Sequence, residues 1–297
     1  MRVLVTGGTG FLGRHLVPWL RGAGHEVLAP GRDALHAESP IEAWRAALPG
    51  VEAVLHLAGR AHRVGEVTGA AAAAFMATNR DWPIRLARAA REAGVARFLF
   101  VSTIGVHGPG GTVTEASPLL PATPYARSKL EAEEGLPEAF GGPVTILRPP
   151  LVCGPGAPGN LARLRRLAAT PLPLPLGAVR NRRTLLSVEG FCTAVEAVLR
   201  RWAAGGEAAG AYVLGDAAPL STRDMLVALR EGLGRPPRLL PVPPALLAAA
   251  LRAAGRGAIA AQLLGDLVVD SAAFRREFGW QPVADTRATL RAMARAG

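Results

Sequence analysis

Tyr125 and Lys129 are the residues whose types and spacing most directly suggest chemistry in this sequence. Lys129 is the only lysine, and every other cationic side chain of the Lys/Arg kind is arginine. Residues four apart on a helix share one face, so this phenol and this ammonium can meet over one spot. A nearby positive charge lowers the pKa of a phenol from its ordinary value of about 10. The pair therefore predicts a tyrosine that exchanges protons near neutral pH, although a coding bias against lysine would also explain a single lysine.

Three glycines near the amino terminus predict a site for a dinucleotide. Gly7, Gly10 and Gly13 follow a short apolar strand and open a helical pattern, and Phe11 and Leu12 lie between the last two. Glycine lets the backbone approach a pyrophosphate closely, while the start of a helix supplies free N–H groups and positive potential. The spacing lies in register with a strand–helix–strand unit, which is the context that gives it meaning.

The end of the second strand indicates which cofactor is used. The sequence Gly31-Arg32-Asp33 stands where an acidic residue would hold the ribose of NAD and an arginine would hold the 2′-phosphate of NADP. Arg32 favours NADP(H), whereas Asp33 keeps NAD(H) open, and Arg32 could also be an ordinary surface arginine.

A second reactive position is predicted where the strand at residues 97–102 ends. Ser102 and Thr103 stand at that end, and ligands of parallel sheets bind at the carboxyl edge of the strands. A hydroxyl group there could share a proton with Tyr125 and with a substrate oxygen. Taken alone, the two hydroxyl residues would only cap the strand.

The elements that must position these residues alternate between strand and helix. Strands are predicted at 1–6, 25–29, 51–58, 97–102 and 144–147, with helices after Gly13, over 70–93 and over 124–135. This alternation predicts an α/β fold with a doubly wound parallel sheet, the Rossmann arrangement, over residues 1–150. Residues 151–297 are richer in proline and loops and predict a smaller, mostly helical substrate-binding region. Residues from about 176 to 200 are expected to contribute to the first domain.

Composition narrows the classes of function. The net charge of +11 raises the question of nucleic acid, but the arginines are dispersed and few aromatic residues lie among them to stack bases, so we expect no nucleic-acid partner. A basic surface also steers anionic substrates. No apolar stretch reaches the ~20 residues of a membrane span, and Cys153 and Cys192 lack metal-site spacing. We therefore expect a cytoplasmic protein with reduced thiols and no metal.

The motifs together resemble the extended short-chain dehydrogenase/reductases, in the branch that is similar to UDP-glucose 4-epimerase. The resemblance is carried by six stretches, namely 6–13, 56–59, Asn79, 102–103, 125–129 and 147–149. It implies that Tyr125 is the catalytic acid/base, that Lys129 lowers its pKa and holds the nicotinamide ribose, and that Thr103 contacts the substrate oxygen together with Tyr125. It implies further that the cofactor is held by Gly7, Gly10, Phe11, Leu12, Gly13, Arg32, Leu57, Ala58, Gly59, Asn79, Tyr125, Lys129 and Pro149.

In the second half, the resemblance assigns nucleotide-sugar binding to Asn160 and Arg183. The segments 148–155 and 173–177 and the region of Asp270 are similar to a subgroup with reductases of UDP-4-keto-6-deoxy-N-acetylhexosamines, enzymes of polysaccharide biosynthesis. Two departures concern the pocket, because His107 and Cys153 stand where the family commonly has tyrosines. A third is Ile104-Gly105 in place of the Asp-Glu pair of the dehydratases, so water elimination is not expected.

The resemblance implies an NAD(P)-dependent oxidoreductase acting at C4 of a UDP-linked hexose, with a homodimer as one candidate assembly. NADPH-dependent reduction of a UDP-4-keto-6-deoxy-hexosamine is the first reading. A UDP-hexose 4-epimerase with tightly bound NAD would use the same residues. A non-catalytic NADP-binding regulator is a third reading, although such a protein would be expected to lose the Tyr125–Lys129 pair.

Overall fold

The computed structural model describes residues 1–31, 35–36, 38–60, 69–216, 218–282 and 285–296. Its strands are β1 Arg2–Thr6, β2 Glu26–Leu28, β3 Ala53–His56, β4 Arg97–Val101, β5 Thr112–Val113, β6 Val144–Arg148, β7 Val152–Cys153, β8 Leu186–Ser187, β9 Gly210–Val213 and β10 Val268–Val269. Its α-helices are α1 Phe11–Gly22, α2 Ile41–Ala46, α3 Gly69–Met76, α4 Trp82–Glu92, α5 Pro124–Phe140, α6 Gly159–Ala168, α7 Val188–Ala203, α8 Thr222–Gly232, α9 Pro244–Ala253, α10 Gly257–Leu264, α11 Ala272–Phe278 and α12 Thr286–Arg295. A π-helical turn covers Ala77–Asp81 and a 3₁₀ helix covers Ile104–His107.

Six parallel strands form the central sheet in the order β2-β1-β3-β4-β6-β9. The chain moves from β1 outward to β2 and then returns to β3 on the other side of β1. Ligands of open parallel sheets bind outside the carboxyl ends of the strands at such a reversal. The topology therefore places the expected site above the ends of β1 and β3, and the predicted doubly wound parallel sheet is confirmed.

Helices cover both faces of the sheet, because its strands are apolar on both sides. One core cluster lies between the sheet and α1, α7 and α11, and it includes Leu16, Phe191 and Phe274. The second cluster lies between the opposite face and α2, α4 and α5, and it includes Trp44 and Leu136. Buried parallel strands of this kind read as continuous hydrophobic runs, which is how β3, β4 and β6 appear in the sequence.

Residues beyond 150 divide between the sheet and a smaller region. Strand β9 pairs with β6 and completes the sheet, while α7 packs on α1. Helices α6, α8 and α12 surround a third apolar cluster, and α9 and α10 pack on each other beside it. Among the described residues, no helix is long and apolar enough to cross a membrane.

The long helix predicted over 70–93 is interrupted in the structure. Helix α3 ends at Met76, a π turn follows, and α4 begins at Trp82 with Pro83 in its first turn. Proline has no N–H to donate to the carbonyl four residues before it, so the regular ladder cannot pass through this point. The wider turn carries Asn79 into the interior, where its side chain is fully buried.

Candidate active site

The glycine loop between β1 and α1 is packed too tightly for side chains. Gly7 has φ +74°, and a Cβ there would lie 2.7 Å from the backbone nitrogen of Ala58. A Cβ on Gly13 would lie 2.2 Å from the carbonyl oxygen of Gly7. The first glycine therefore permits the turn and brings β1 close to the loop after β3, while the third lets α1 begin directly against the loop.

A cavity of about 610 Å³ lies above this loop, at the reversal of the strand order. It brings together eight of the residues predicted to hold the cofactor: Gly7, Gly10, Phe11, Leu12, Gly13, Leu57, Ala58 and Gly59. Its walls also include residues that the sequence did not single out, among them Thr9, Pro30, His36, Trp44 and Pro158. Arg32, on which the NADP(H) prediction depends, lies outside the described residues.

The chemistry of this cavity fits a dinucleotide. The loop has no Cβ at the points of closest approach, and α1 begins at Gly10 without a side-chain cap on its first N–H groups. Those N–H groups and the dipole of α1 provide the positive potential that a pyrophosphate needs. The volume lies within the usual range for cofactor sites.

Thr103 and Tyr125 meet at the carboxyl edge of the sheet, as predicted. Thr103 follows β4 and caps the 3₁₀ helix, with its hydroxyl accepting a hydrogen bond from the N–H of Gly105 at 3.1 Å. The same hydroxyl is close enough to the phenol of Tyr125, in the first turn of α5, to lower the pKa of that phenol. Thr123 caps α5 by accepting from the N–H of Ala126, which fixes where the helix and its tyrosine begin.

The pKa of Tyr125 moves in the direction opposite to the one expected from the Tyr–Lys spacing. Burial raises the pKa of this phenol to about 12, and the nearby Thr103 hydroxyl offsets only part of the rise. The expected lowering by Lys129 is not found in this structure, because removal of the phenol from water dominates and Lys129 is not among the groups that shift its pKa. The neutral phenol is the dominant form near neutral pH.

Lys129 lies beneath the cavity and is 3% exposed. Its Nζ donates a hydrogen bond of 2.9 Å to the carbonyl oxygen of Val101 and lies 4.4 Å from the centre of the Phe100 ring. A Cβ on Gly59, in the cavity wall, would be 3.2 Å from this Nζ. Burial lowers the pKa of Lys129 to about 7, and the nearby carboxylate of Glu133 opposes that fall.

Two other predicted cofactor residues do not line the cavity and instead hold its parts together. The Asn79 side chain accepts from the N–H of Arg60 at 2.8 Å and donates to the Arg60 carbonyl and to Ser128, which ties the loop after β3 to α5. Pro149 is buried after β6, and its carbonyl accepts from the N–H of Ile104 at 2.9 Å. Direct contact of either residue with a cofactor stays a prediction.

A buried ion pair below the site was missed in the sequence. Glu133 on α5 receives Nε and Nη2 of Arg148 from β6, with the shortest contact at 2.5 Å. The remaining Nη1 of Arg148 contacts Nε2 of His107 at 3.1 Å, and burial lowers the pKa of that imidazole, with Arg148 adding to the effect. The sequence did contain a signal for a buried charge here, because Glu133 follows Lys129 by one helical turn and so lies on the same buried face of α5.

Asn160 and Arg183 come together in a second cavity, of about 270 Å³, which is mainly apolar. Nδ2 of Asn160 donates to Gln262 at 3.3 Å, and Nη1 of Arg183 donates to the carbonyl of Gly265 at 2.9 Å. Thr103, Tyr125 and Lys129 do not line this cavity. Cys153 is fully buried in the adjacent apolar cluster, where burial raises the pKa of its thiol. No group of three or more potential metal ligands was found among the described residues.

The fold and the tyrosine site define a dinucleotide-binding class of protein, and comparison with known proteins refines it. Residues 3–215 match the model of the NAD dependent epimerase/dehydratase family. UDP-glucose 4-epimerase of Vibrio cholerae is 30% identical over 300 residues, covering 94% of this chain and 90% of that protein. The chain belongs to the NAD-dependent epimerase/dehydratase family.

Two solved structures share the fold over nearly the whole chain. RMD from Pseudomonas aeruginosa, complexed with NADPH, has a TM-score of 0.77 at 23% identity, covering 99% of this chain and 96% of that one. UDP-glucuronic acid 4-epimerase from Bacillus cereus, in complex with NAD, has a TM-score of 0.78 at 19% identity, covering 100% and 96%. The protein is an enzyme of the extended short-chain dehydrogenase/reductase type, which removes the non-catalytic alternative.

Proposed function

We propose that this enzyme reduces the 4-keto group of a UDP-4-keto-6-deoxy-hexosamine with NADPH. The observation that carries the proposal is the grouping of the buried Tyr125 phenol, the nearby Thr103 hydroxyl and the buried Lys129, whose Nζ lies beside Gly59 in the wall of the dinucleotide cavity. A bound nicotinamide cofactor would supply the hydride. The chain itself would then have to bind the sugar, orient its oxygen and deliver a proton.

Tyr125 is the proposed proton donor. With its pKa near 12, the phenol is protonated at neutral pH and can protonate an oxyanion as it develops at C4. The hydroxyl of Thr103 would orient that oxygen. Lys129 would hold the nicotinamide ribose, since its Nζ lies beside Gly59 in the cavity wall.

Asn160 and Arg183 are the proposed contacts of the nucleotide-sugar. Both line the 270 Å³ cavity, and the guanidinium of Arg183 suits the diphosphate because arginine pairs with phosphate oxygens through two N–H groups. The apolar walls of this cavity suit the flat face of the base. The relative from Vibrio cholerae, named as a UDP-glucose 4-epimerase, supports a UDP-sugar as the substrate class.

A UDP-hexose 4-epimerase with retained NAD is the second candidate. The Vibrio cholerae relative and the NAD-bound structural neighbour favour it. The reductive reading is favoured by Arg32 in the sequence.

Incubation of the purified protein with UDP-4-keto-6-deoxy-N-acetylglucosamine and NADPH separates the two candidates. We expect a loss of NADPH absorbance that matches the amount of product identified by NMR. Tyr125→Phe keeps the ring and removes the proton, so it serves as the inactive control. Interconversion of UDP-hexose epimers without NADPH consumption would overturn the reductase proposal and support the epimerase.

Lys129→Arg tests the proposed role of the lysine within the same assay. The guanidinium keeps a positive charge but is larger and cannot occupy the compact position beneath Phe100 and Val101. We expect at least a hundredfold fall in kcat, the scale of one acid–base contribution, with a thermal unfolding midpoint close to that of the parent. Near-normal turnover would show that Lys129 has no part in catalysis.

A further inference from the structure

The acidic residues of this chain are distributed unevenly. Residues 139–188 and 232–265 contain eleven arginines and no aspartate or glutamate. The rest of the chain has 23 basic residues of the Lys/Arg kind and 23 acidic ones. The whole net charge of +11 therefore comes from these two segments, which we call the acid-free segments.

The fold brings the two acid-free segments together. The N–H of Leu174 donates to the carbonyl of Arg238 at 3.0 Å, and the N–H of Leu240 donates to the carbonyl of Leu174 at 2.8 Å. The hydrogen bond from Asn160 to Gln262 joins α6 to α10. Both segments supply walls of the 270 Å³ cavity, and two arginines of the first segment, Arg163 and Arg183, line it.

The same segments also expose apolar side chains. Of the seven large hydrophobic residues that are exposed in the described parts of the chain, five lie in the acid-free segments: Leu151, Leu172, Leu240, Leu246 and Ile259. Helix α9 has no buried residue at all, although eight of its ten residues are alanine or leucine. Leu172 and Leu246 are 65% and 63% exposed. A single exposed leucine is ordinary on a protein surface, so the significant feature is how many of them these two segments contain.

Four arginines accompany these leucines in the second acid-free segment. Arg235, Arg238, Arg252 and Arg256 are all exposed, and their own segment offers no carboxylate to neutralise them. Exposed leucines combined with uncompensated arginines are the composition of surfaces that lie in the interface of a lipid bilayer, with the apolar side chains inserted and the cations among anionic headgroups.

Other occupants fit this surface less well. A soluble nucleotide-sugar carries only a few negative charges, and it would not contact leucines that are exposed outside the cavity in which it binds. A second copy of the chain would bring the same positive segments, and the remainder of that copy carries no net negative charge to attract them. We propose that the acid-free segments dock the enzyme on an anionic membrane, with α9 and α10 at the lipid interface and the 270 Å³ cavity beside it.

Co-sedimentation of the full chain with lipid vesicles tests the proposal. We expect binding to phosphatidylcholine vesicles that contain about one quarter phosphatidylglycerol, little binding to pure phosphatidylcholine, and weaker binding as salt is added. Replacement of the four arginines by glutamine should weaken binding on the order of a hundredfold or more. The matched control replaces four exposed arginines on other helices, namely Arg85, Arg88, Arg127 and Arg276.

A second pair of variants tests the apolar part. Leu240→Ser with Leu246→Ser should reduce vesicle binding at least tenfold, since insertion of leucine contributes to the affinity. Leu119→Ser with Leu120→Ser is the control, because these two leucines are also exposed but lie outside the acid-free segments. Unfolding midpoints close to that of the parent show that each variant is folded.

Three results would overturn the proposal. One is the absence of binding to the anionic vesicles, and another is an equal loss of binding in the control variants. The third is binding to soluble polyglutamate as tight as to the vesicles and unaffected by the leucine substitutions, which would identify an acidic protein as the occupant instead.

Discussion

Lys129 combines two properties that rarely occur together, namely near-complete burial and a position next to a reactive group. Its Nζ has one hydrogen-bond acceptor, the Val101 carbonyl, and one aromatic face, that of Phe100. These contacts are fewer than an ammonium makes in water, so its charged form is destabilised and its pKa falls to about 7. The protonation state of the lysine therefore changes within the pH range in which the enzyme would be assayed.

Lys129→Met should change how stability depends on pH. Between a folded pKa of about 7 and the ordinary value of 10.5, the unfolded chain holds more protons at this site than the folded one. The parent protein therefore gains stability as pH rises from 7 to 10, by roughly 3 to 5 kcal/mol, and the methionine variant lacks this gain. Urea unfolding at both ends of this range measures the difference between the two proteins. Parallel profiles for parent and variant would contradict the low pKa.

Some properties of single residues could be predicted from the sequence and others could not. The proximity of Thr103 to Tyr125 followed from the end of one strand and the start of one helix, and the structure agrees. The pKa of Tyr125 depends on how much water reaches the phenol, which depends on side chains from several elements and cannot be read from spacing. The same holds for Asn79, whose burial results from a π turn that the helical pattern did not reveal.

At the scale of elements, the pair Glu133–Arg148 links the parts that carry the site. Helix α5 bears Tyr125 and Lys129, strand β6 leads to Pro149, and the 3₁₀ helix follows Thr103. Arg148 joins all three through Glu133 on one side and His107 on the other. The residue that first looked like a change in the pocket lining, His107, is therefore part of the support beneath the pocket.

Glu133→Gln should destabilise the protein by about 3 kcal/mol or more, because it leaves the guanidinium of Arg148 buried without a counter-charge. The matched control is Glu131→Gln, on the same helix, whose partner Arg80 is partly exposed to solvent. That change should cost less than about 1 kcal/mol. Chemical denaturation followed by circular dichroism measures both. Replacement of Glu133 and Arg148 together by methionine should recover most of the loss, and its failure to do so would point to packing instead of charge.

At the scale of the whole molecule, the core on one face of the sheet crosses the boundary predicted at residue 150. Helices α7 and α11 supply Phe191, Trp202 and Phe274 to the same cluster as α1, and Trp280, just after α11, belongs to it too. Strand β9 adds the last strand of the sheet. The alternation of strands and helices in residues 1–150 was clear from the sequence. The pairing of β9 with β6 joins residues far apart in the sequence, and no local pattern encodes it. The domain boundary at residue 150 stays a prediction.

A fragment of residues 1–150 should not fold by itself. It would expose the face of the sheet that α7 and α11 cover, and it would leave β6 as an unpaired edge. We expect it to aggregate or to lack near-ultraviolet circular dichroism, whereas the full chain unfolds cooperatively. A soluble fragment with native-like chemical-shift dispersion would show that the first half is an independent domain.

The single lysine has a consequence for measurement. Apart from the amino terminus, Lys129 carries the only primary amine of the chain, and it is almost inaccessible in the folded state. At 3% exposure an acylating reagent can reach this amine only after a local opening of the structure, and the opened amine regains the ordinary pKa of a lysine, so the reaction is followed at a fixed alkaline pH. The rate of modification at this one position, read by mass spectrometry, would report how often the active site opens in the native protein, without any engineered label.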